Sequence, residues 1–267
     1  MKSKLIPNII HQIWFQGEDK IPELHKKYQK ICKNMYKDWE YMFWDDHKIQ
    51  DLIQSNYSYL YKYYIKYPTL LQKVDLARYI ILYHYGGCYI DMDVECIKSI
   101  NELLEKNPYK TFICSKMPFN LWFSFKWFQY KKYINNGIFL CSKNNHITKQ
   151  LINESTIKNS FERKWYHIVK EMYISSSISI DYFNVIINKN INDNKLLILD
   201  NKYFEPSSFG TNTHKESYFN HHHQLSWFSK NTSIIVKFLI KYQYIIFSIL
   251  IIILILLIFK KYNYTII

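Results

Sequence analysis

The chain has 267 residues with 35 Lys+Arg against 22 Asp+Glu, a formal net charge of +13. Its 48% hydrophobic content is too high for a disordered chain, and 5 Gly with 6 Pro exclude collagen-like and low-complexity sequence. The cysteines at 32, 88, 96, 114 and 141 contain no C-x-x-C pair, which argues against a zinc ribbon and against a disulfide scaffold. The positive charge would suit a nucleic-acid binder, but only Arg78 and Arg163 are Arg. Base and phosphate recognition leans on the bidentate guanidinium, so nucleic acid is not expected as a partner. Abundant Lys, Ile, Asn, Tyr and Phe instead match an AT-rich coding sequence.

The N-terminus, MKSKLIPNIIHQIW, has no apolar run long enough for a secretory signal. IIHQIWF at 9–15, after Pro7, predicts a buried strand. A helical stretch follows Gly17, and WEYMFWDD at 39–46 predicts a second strand. Strand, helix, strand predicts a parallel α/β sheet in one sizeable domain. Such sheets bind ligands at the carboxyl ends of their strands, where Trp14, Phe15 and Gln16 fall. By itself Trp14 reads rather as a core aromatic.

LLQKVDLARYIILYHYGGCYIDMDVE at 70–95 is the most informative stretch. Residues 70–85 are helical in pattern and almost wholly apolar, which predicts a buried helix. Asp75 and Arg78, at i and i+3, share one face with Leu71 and Leu82. A buried carboxylate and guanidinium are costly unless paired or bound, so they either fix the helix or grip a ligand. Gly86-Gly87 ends the helix as glycine caps do, and CYI is a short strand leading into Asp91-Met92-Asp93. Strand alternation would put both carboxylates on one side, where they can hold Mg²⁺ or Mn²⁺. Such a metal can neutralise a departing diphosphate. Glu95 continues the alternation and reads as a solvated acid.

The triplet in HHHQLSW at 221–227 reads alone as a solvated turn. From Tyr242 to Phe259 the chain runs without a formal charge, flanked by Lys237 and Lys241 before and by Lys260 and Lys261 after. At 1.5 Å per residue that is roughly 27 Å of helix, close to the ~30 Å hydrocarbon core. The expected organisation is a domain over 1–231, a linker over 232–241, a single transmembrane helix over 242–259 and a short basic tail over 260–267. Anchored by its tail, the main domain is expected in the cytosol. Basic residues flank both ends, so the charge rule leaves orientation open, and an ER or Golgi lumenal domain is the alternative.

Together, IPNIIHQIWFQG at 6–17, WEYMFWDD, and VDLARYIILYHYGGCYIDMDV at 74–94 resemble the sugar transferases that carry a DXD motif. These include the yeast-type initiating α-1,6-mannosyltransferases and the inositol-phosphoceramide mannosyltransferases. The glucosylating domains of large clostridial toxins are similar at a greater distance. The resemblance is close over 6–17 and 70–97 and weaker but ordered as far as Trp227. It implies a GT-A fold, a Rossmann-like α/β sheet that binds a nucleotide sugar and a divalent metal, Mn²⁺ or Mg²⁺. It also implies retaining transfer of a hexose, from GDP-mannose or a UDP-hexose, to a glycan, lipid or protein hydroxyl. Residue by residue, it implies that Asp91 and Asp93 bind the metal–diphosphate, and that Asp75 and Arg78 hold the sugar and ribose–phosphate region. Trp14 would stack on the base, Asn136 would face the donor sugar, and His221 or His222 would complete the metal site.

Two departures touch the sugar and acceptor regions. YISSSISIDYF at 173–183 lacks the family's Gly-Pro turn, and His223 stands where relatives carry an aromatic. A C-terminal anchor is also the reverse of the N-terminal one found in Golgi members. The rival reading is a catalytically degenerate, membrane-anchored binding protein. The intact Asp75, Arg78, Asp91 and Asp93 argue against it.

Overall fold

The computed structural model describes residues 5–118, 132–157, 178–207, 212–224, 234, 237–238 and 241–263. β1 (Ile9–Ile13) is followed by a 3-10 turn (Glu18–Lys20), α1 (Glu23–Met35) and β2 (Glu40–Trp44). Three helices follow: α2 (Asp46–Asn56), α3 (Ser58–Tyr64) and α4 (Leu70–Tyr85). β3 (Gly87–Ile90), β4 (Val94–Cys96), α5 (Asn101–Lys106), β5 (Phe112–Lys116) and β6 (Ile134–Cys141) come next. The remainder is α6 (His146–Ile157), α7 (Ile180–Lys189), β7 (Leu196–Leu199), α8 (Asn201–Phe204), β8 (Phe219–His221) and α9 (Gln243–Asn263).

Six strands form one sheet in the order β2-β1-β3-β6-β5-β7, and β4 pairs with β8 in a separate ribbon. β1 is parallel to β2 and to β3, whereas β6 is antiparallel to β3 and to β5. The sheet is therefore mixed, not wholly parallel as expected. Periodicity could not have shown this, because β6 is buried along its whole length and a strand covered on both faces reads the same in either direction. Successive side chains go to opposite cores. Tyr89, Phe139 and Cys141 pack with α2, α3, α4, α6 and α7, while Cys88, Ile90, Ile138 and Leu140 pack with α1 and α5.

From β1 the chain passes to β2 on one side and later to β3 on the other. The carboxyl ends of β1 and β3 thus flank a switch point, where open α/β sheets leave a crevice for ligands. Trp14 follows the first of these ends and Asp91 the second. Antiparallel β6 starts at the same place, since Ile90 pairs with Ile138.

Cys32 and Cys96 form a disulfide joining α1 to β4 across 64 residues of sequence, while Cys88, Cys114 and Cys141 are free and buried. The cysteines therefore build one bridge, which the spacing argument against a scaffold did not anticipate.

The described residues up to Gln224 belong to one compact unit and α9 to a second. α9 spans 21 residues and continues through Lys260 and Lys261, past the 242–259 limits expected for the span. Ile249, Leu250, Ile252, Leu256 and Leu257 along it are more than half exposed. Among the described residues, no helix is both long and apolar enough to cross a membrane. Residues 173–177 and 225–227, which carry parts of two sequence motifs, and Arg163 lie outside the described residues.

Candidate active site

α4 is capped at its start by Thr69, whose Oγ1 accepts from the Gln72 amide at 3.4 Å, and after Tyr85 by Gly86 with φ of 70°. A Cβ on Gly86 would lie 2.6 Å from the Lys143 amide nitrogen, and one on Gly87 would lie 2.6 Å from the Ile9 carbonyl oxygen. Glycine alone lets the helix turn straight into β3 here. His11 braces the turn. Its Nδ1 accepts from the Trp44 indole at 3.2 Å, so its Nε2 carries the proton and donates to the Gly86 carbonyl at 2.8 Å. Burial pushes this imidazole down to about 4 against the opposing pull of the Gly86 bond, keeping it neutral.

β3 delivers Asp91, and the Val94 amide donates back to the Asp91 carbonyl at 3.2 Å. The Asp-Met-Asp segment is thus a turn. Strand alternation, expected to align the carboxylates, does not operate, and the reversal of the chain brings them together instead. β4 then pairs with β8 in the register Val94↔His221, which sets His221 beside the turn. Asp91, Asp93 and His221 each offer a ligand atom, all within 4.8 Å of one another.

His221 Nε2 lies 3.1 Å from Asp93 Oδ1, and the Gln224 amide donates to Asp93 Oδ2 at 2.8 Å. Burial works to raise the Asp93 carboxyl, but the adjacent His221 outweighs it and holds the group well below the usual range. Asp91 goes the other way, raised by burial with Arg78 opposing. Both side chains keep some solvent access, 26% for Asp91 and 17% for Asp93.

Arg78 ties the helix to the turn. Its Nη1 donates to the Asn136 carbonyl at 2.7 Å, and its Nη2 lies 3.4 Å from Asp91 Oδ1. Its Nε is 3.3 Å from Asp75 Oδ1, and its guanidinium sits 4.6 Å from the Tyr89 ring centre. Asn136 Nδ2 donates to Asp75 Oδ1 at 2.9 Å, while Asp75 Oδ2 has no partner at hydrogen-bonding geometry. Asp75, Arg78, Asn136 and Asp91 therefore form one connected group.

Two predicted residues lie differently. His222 stacks on Tyr28 at 4.6 Å, and its Nε2 is 3.3 Å from Glu95 Oε2. Of the two expected histidines, only His221 joins the aspartates, and Glu95 is a half-buried partner of His222 more than a solvated acid. Trp14, half-buried, donates from Nε1 to the Lys20 carbonyl at 3.1 Å and meets the His25 ring edge-on at 5.3 Å. Sequence reasoning missed His25, which is buried with both ring nitrogens lacking partners at hydrogen-bonding geometry. It also missed Tyr89, whose hydroxyl donates to Asp91 Oδ1 at 2.7 Å, and Glu205, which touches both His221 and His223. Nothing local in YFEPSSFG marks Glu205, whereas Tyr89 could have been found from its place two residues before Asp91.

Two carboxylates and one imidazole are an oxygen-rich donor set of the kind that Mn²⁺ or Mg²⁺ accepts. Gly137 keeps the space open, since a Cβ there would lie 2.7 Å from Asp91 Oδ2 and 2.8 Å from His221 Cε1. The residues fit the metal that the resemblance implies.

Residues 22–110 match the family described as "Glycosyltransferase sugar-binding region containing DXD motif". The chain is 40% identical over 104 residues to inositol phosphoceramide mannosyltransferase 1 of Schizosaccharomyces pombe, a match covering 38% of this chain and 32% of that protein. An uncharacterised glycosyltransferase of Acanthamoeba polyphaga mimivirus is 42% identical over 101 residues, covering 38% and 40% of the two chains. The chain thus matches only about a third of the length of these relatives. Among solved structures, the UDP-bound glycosyltransferase domain of the YGT toxin superposes with a TM-score of 0.52 at 8% identity, covering 73% of this chain and 80% of that one. That likeness concerns the fold. Residues 22–110 are thus similar to the DXD-type sugar-binding region of glycosyltransferases, and the α/β fold with its mixed sheet is similar to that of the toxin glycosyltransferase domain.

Proposed function

We propose that this protein is a metal-dependent, retaining glycosyltransferase that moves a hexose from a nucleotide sugar to an acceptor hydroxyl. The observation that carries the reading is the convergence of Asp91, Asp93 and His221 at the carboxyl end of β3. These three residues would hold the cation, Mn²⁺ or Mg²⁺. When bound, it would neutralise the diphosphate of the leaving group.

The protein's own groups supply the rest. Arg78, Tyr89 and Asn136 fix Asp91 and Asp75 before substrate arrives, so the site is organised in advance. Asp75, buried and held by Asn136 and Arg78, is fixed in orientation beside the place proposed for the donor sugar. Trp14, at the end of β1, provides an aromatic face for the base. Asp75 and Asp91 are tied to Arg78, and Glu205 to two histidines. That leaves no free nucleophilic carboxylate in the group described, which supports attack of the acceptor from the leaving group's own face.

The similar Schizosaccharomyces protein is named for mannosyl transfer to inositol phosphoceramide. This makes GDP-mannose the first donor to test and a lipid the first acceptor, ahead of UDP-hexoses and of glycan or protein hydroxyls. The exposed apolar side chains of α9, among them Ile249, Leu250 and Leu256, support attachment of the chain to a membrane surface. The Cys32–Cys96 bridge supports the lumenal alternative over a cytosolic domain, since disulfides persist in oxidising compartments.

The test is to incubate the purified full chain with Mn²⁺ and GDP-mannose or UDP-hexoses and to follow nucleotide release. Slow, metal-dependent release from one donor is expected. Binding of the nucleotide sugar with no release from any donor, with or without lipid acceptor, would favour the degenerate binding protein.

A further inference from the structure

Glu205 sits behind the proposed metal site rather than in it. The residue is 1% exposed, and α8 ends immediately before it. Its Oε1 lies 2.8 Å from His221 Nδ1, and its Oε2 lies 2.6 Å from His223 Nε2. Asn135 Nδ2 donates to Oε1 at 2.7 Å, and Asn135 Oδ1 in turn accepts from the Gly137 amide at 3.1 Å. A buried carboxylate so fully engaged has essentially one orientation available.

We propose that Glu205 is the positioning carboxylate of the Asp91–Asp93–His221 centre, holding the His221 proton on Nδ1 so that the Nε2 lone pair faces the cation. This rests on the metal-site reading above. A metal-ligating imidazole must offer one nitrogen unprotonated, and the partner of the other nitrogen decides which. Here Nε2 points at Asp93, while Nδ1 faces the Glu205 carboxylate at 2.8 Å and, farther off, the Asn135 amide nitrogen at 3.1 Å; the nearer, charged partner of Nδ1 is an acceptor, and a proton fixed on Nδ1 is the arrangement that leaves Nε2 free. The stacked ring of His223, 3.8 Å away centre to centre, stops the imidazole from rotating. It also secures the second oxygen of Glu205. Glu205, His221 and His223 could themselves be grouped as metal ligands. Glu205 is only 1% exposed, however, whereas Asp91 and Asp93 keep 26% and 17%, so the aspartate group is the one open to an entering cation and its diphosphate.

The test uses the full chain and Mn²⁺ alone. Wild-type protein should bind Mn²⁺ and show ¹⁴N spin-echo modulation from a coordinated imidazole, absent in His221→Gln. Glu205→Ala should bind about 10–100-fold more weakly, the usual cost of losing such a partner, and should lose the modulation. Glu205→Gln, which still offers an oxygen to Nδ1–H, should recover it. A folded Glu205→Ala variant with wild-type affinity and modulation overturns the proposal. Should that variant not fold, ¹H–¹⁵N spectra of the Mg²⁺-loaded wild type decide, with a proton on His221 Nδ1 expected and one on Nε2 contradicting it. Wild-type protein that binds no Mn²⁺ overturns the metal-site reading itself, a result distinct from either of these.

Discussion

Arg78 on α4 and Asp91 at the end of β3 are joined across the site, Nη2 to Oδ1 at 3.4 Å. The same guanidinium holds Asp75 and the Asn136 carbonyl. One nearly solvent-free side chain therefore links the helix, the DXD turn and β6, and its planar fork makes three contacts at once that an ammonium could not reproduce. Removing it should leave Asp75 and Asp91 without a counter-charge, a change that in buried pairs costs about 3–5 kcal/mol. Arg78→Met is expected to melt roughly 10 °C or more below the wild type, with Arg78→Lys in between. Thermal unfolding followed by circular dichroism would check this, and equal melting temperatures for all three proteins would contradict the assignment.

Gly137 is a second structural requirement of the site. Its Cβ position is occupied by Asp91 Oδ2 and His221 Cε1. Gly137→Ala should push the two ligands apart and weaken Mn²⁺ affinity by about tenfold or more, the scale seen when ligand positioning is lost. Stability should change far less. Calorimetric titration with Mn²⁺ on wild type and variant provides the comparison.

Asp75 gives a pH dependence. Burial, with Arg78 opposing, pushes its carboxyl up to about 6, above an unfolded value near 3.9. The folded state then binds more protons between those values, so this residue's contribution to stability falls as pH rises from about 4 through 6. Asp75→Asn lacks the effect. The melting temperature of Asp75→Asn minus that of the wild type should therefore become more positive from pH 4 to pH 7, and a flat difference would show that Asp75 ionises normally.

The disulfide is testable by mass and by heat. Closing a loop of the 64-residue separation between Cys32 and Cys96 contributes about 4 kcal/mol by the chain-entropy argument. For a chain of this size, Cys32→Ser or full reduction should lower the melting temperature by roughly 10 °C. Five free thiols in protein from an oxidising compartment would argue against the bridge.

The parts of this site that were legible in the sequence were local ones. Asp75 and Arg78 share a face because helices repeat every 3.6 residues, and Asp91 and Asp93 are two residues apart after an obvious glycine turn. α4 begins and ends at Leu70 and Tyr85, as its apolar pattern and Gly86-Gly87 indicated. What depended on distant pairing was not legible. The choice of His221 over His222 follows from the β4–β8 register, and a shift of one residue would have reversed it. Glu205 meets Asn135 across 70 residues of sequence, and Cys32 meets Cys96 only because α1 packs against β4. The antiparallel direction of β6 was hidden for the same reason, since its partners are set by topology and not by composition.

The most direct measurement of the central claim is donor turnover in Mn²⁺ by the full chain and by Asp91→Asn and Asp93→Asn. Each variant removes one charged oxygen ligand from a site where few remain, and ligand loss of this kind removes several kcal/mol of charge stabilisation. Nucleotide release at least about a hundredfold slower in both variants, with folding retained, is the predicted result. Release by either variant at the wild-type rate in the same Mn²⁺ would contradict the assignment of Asp91 and Asp93 to the metal.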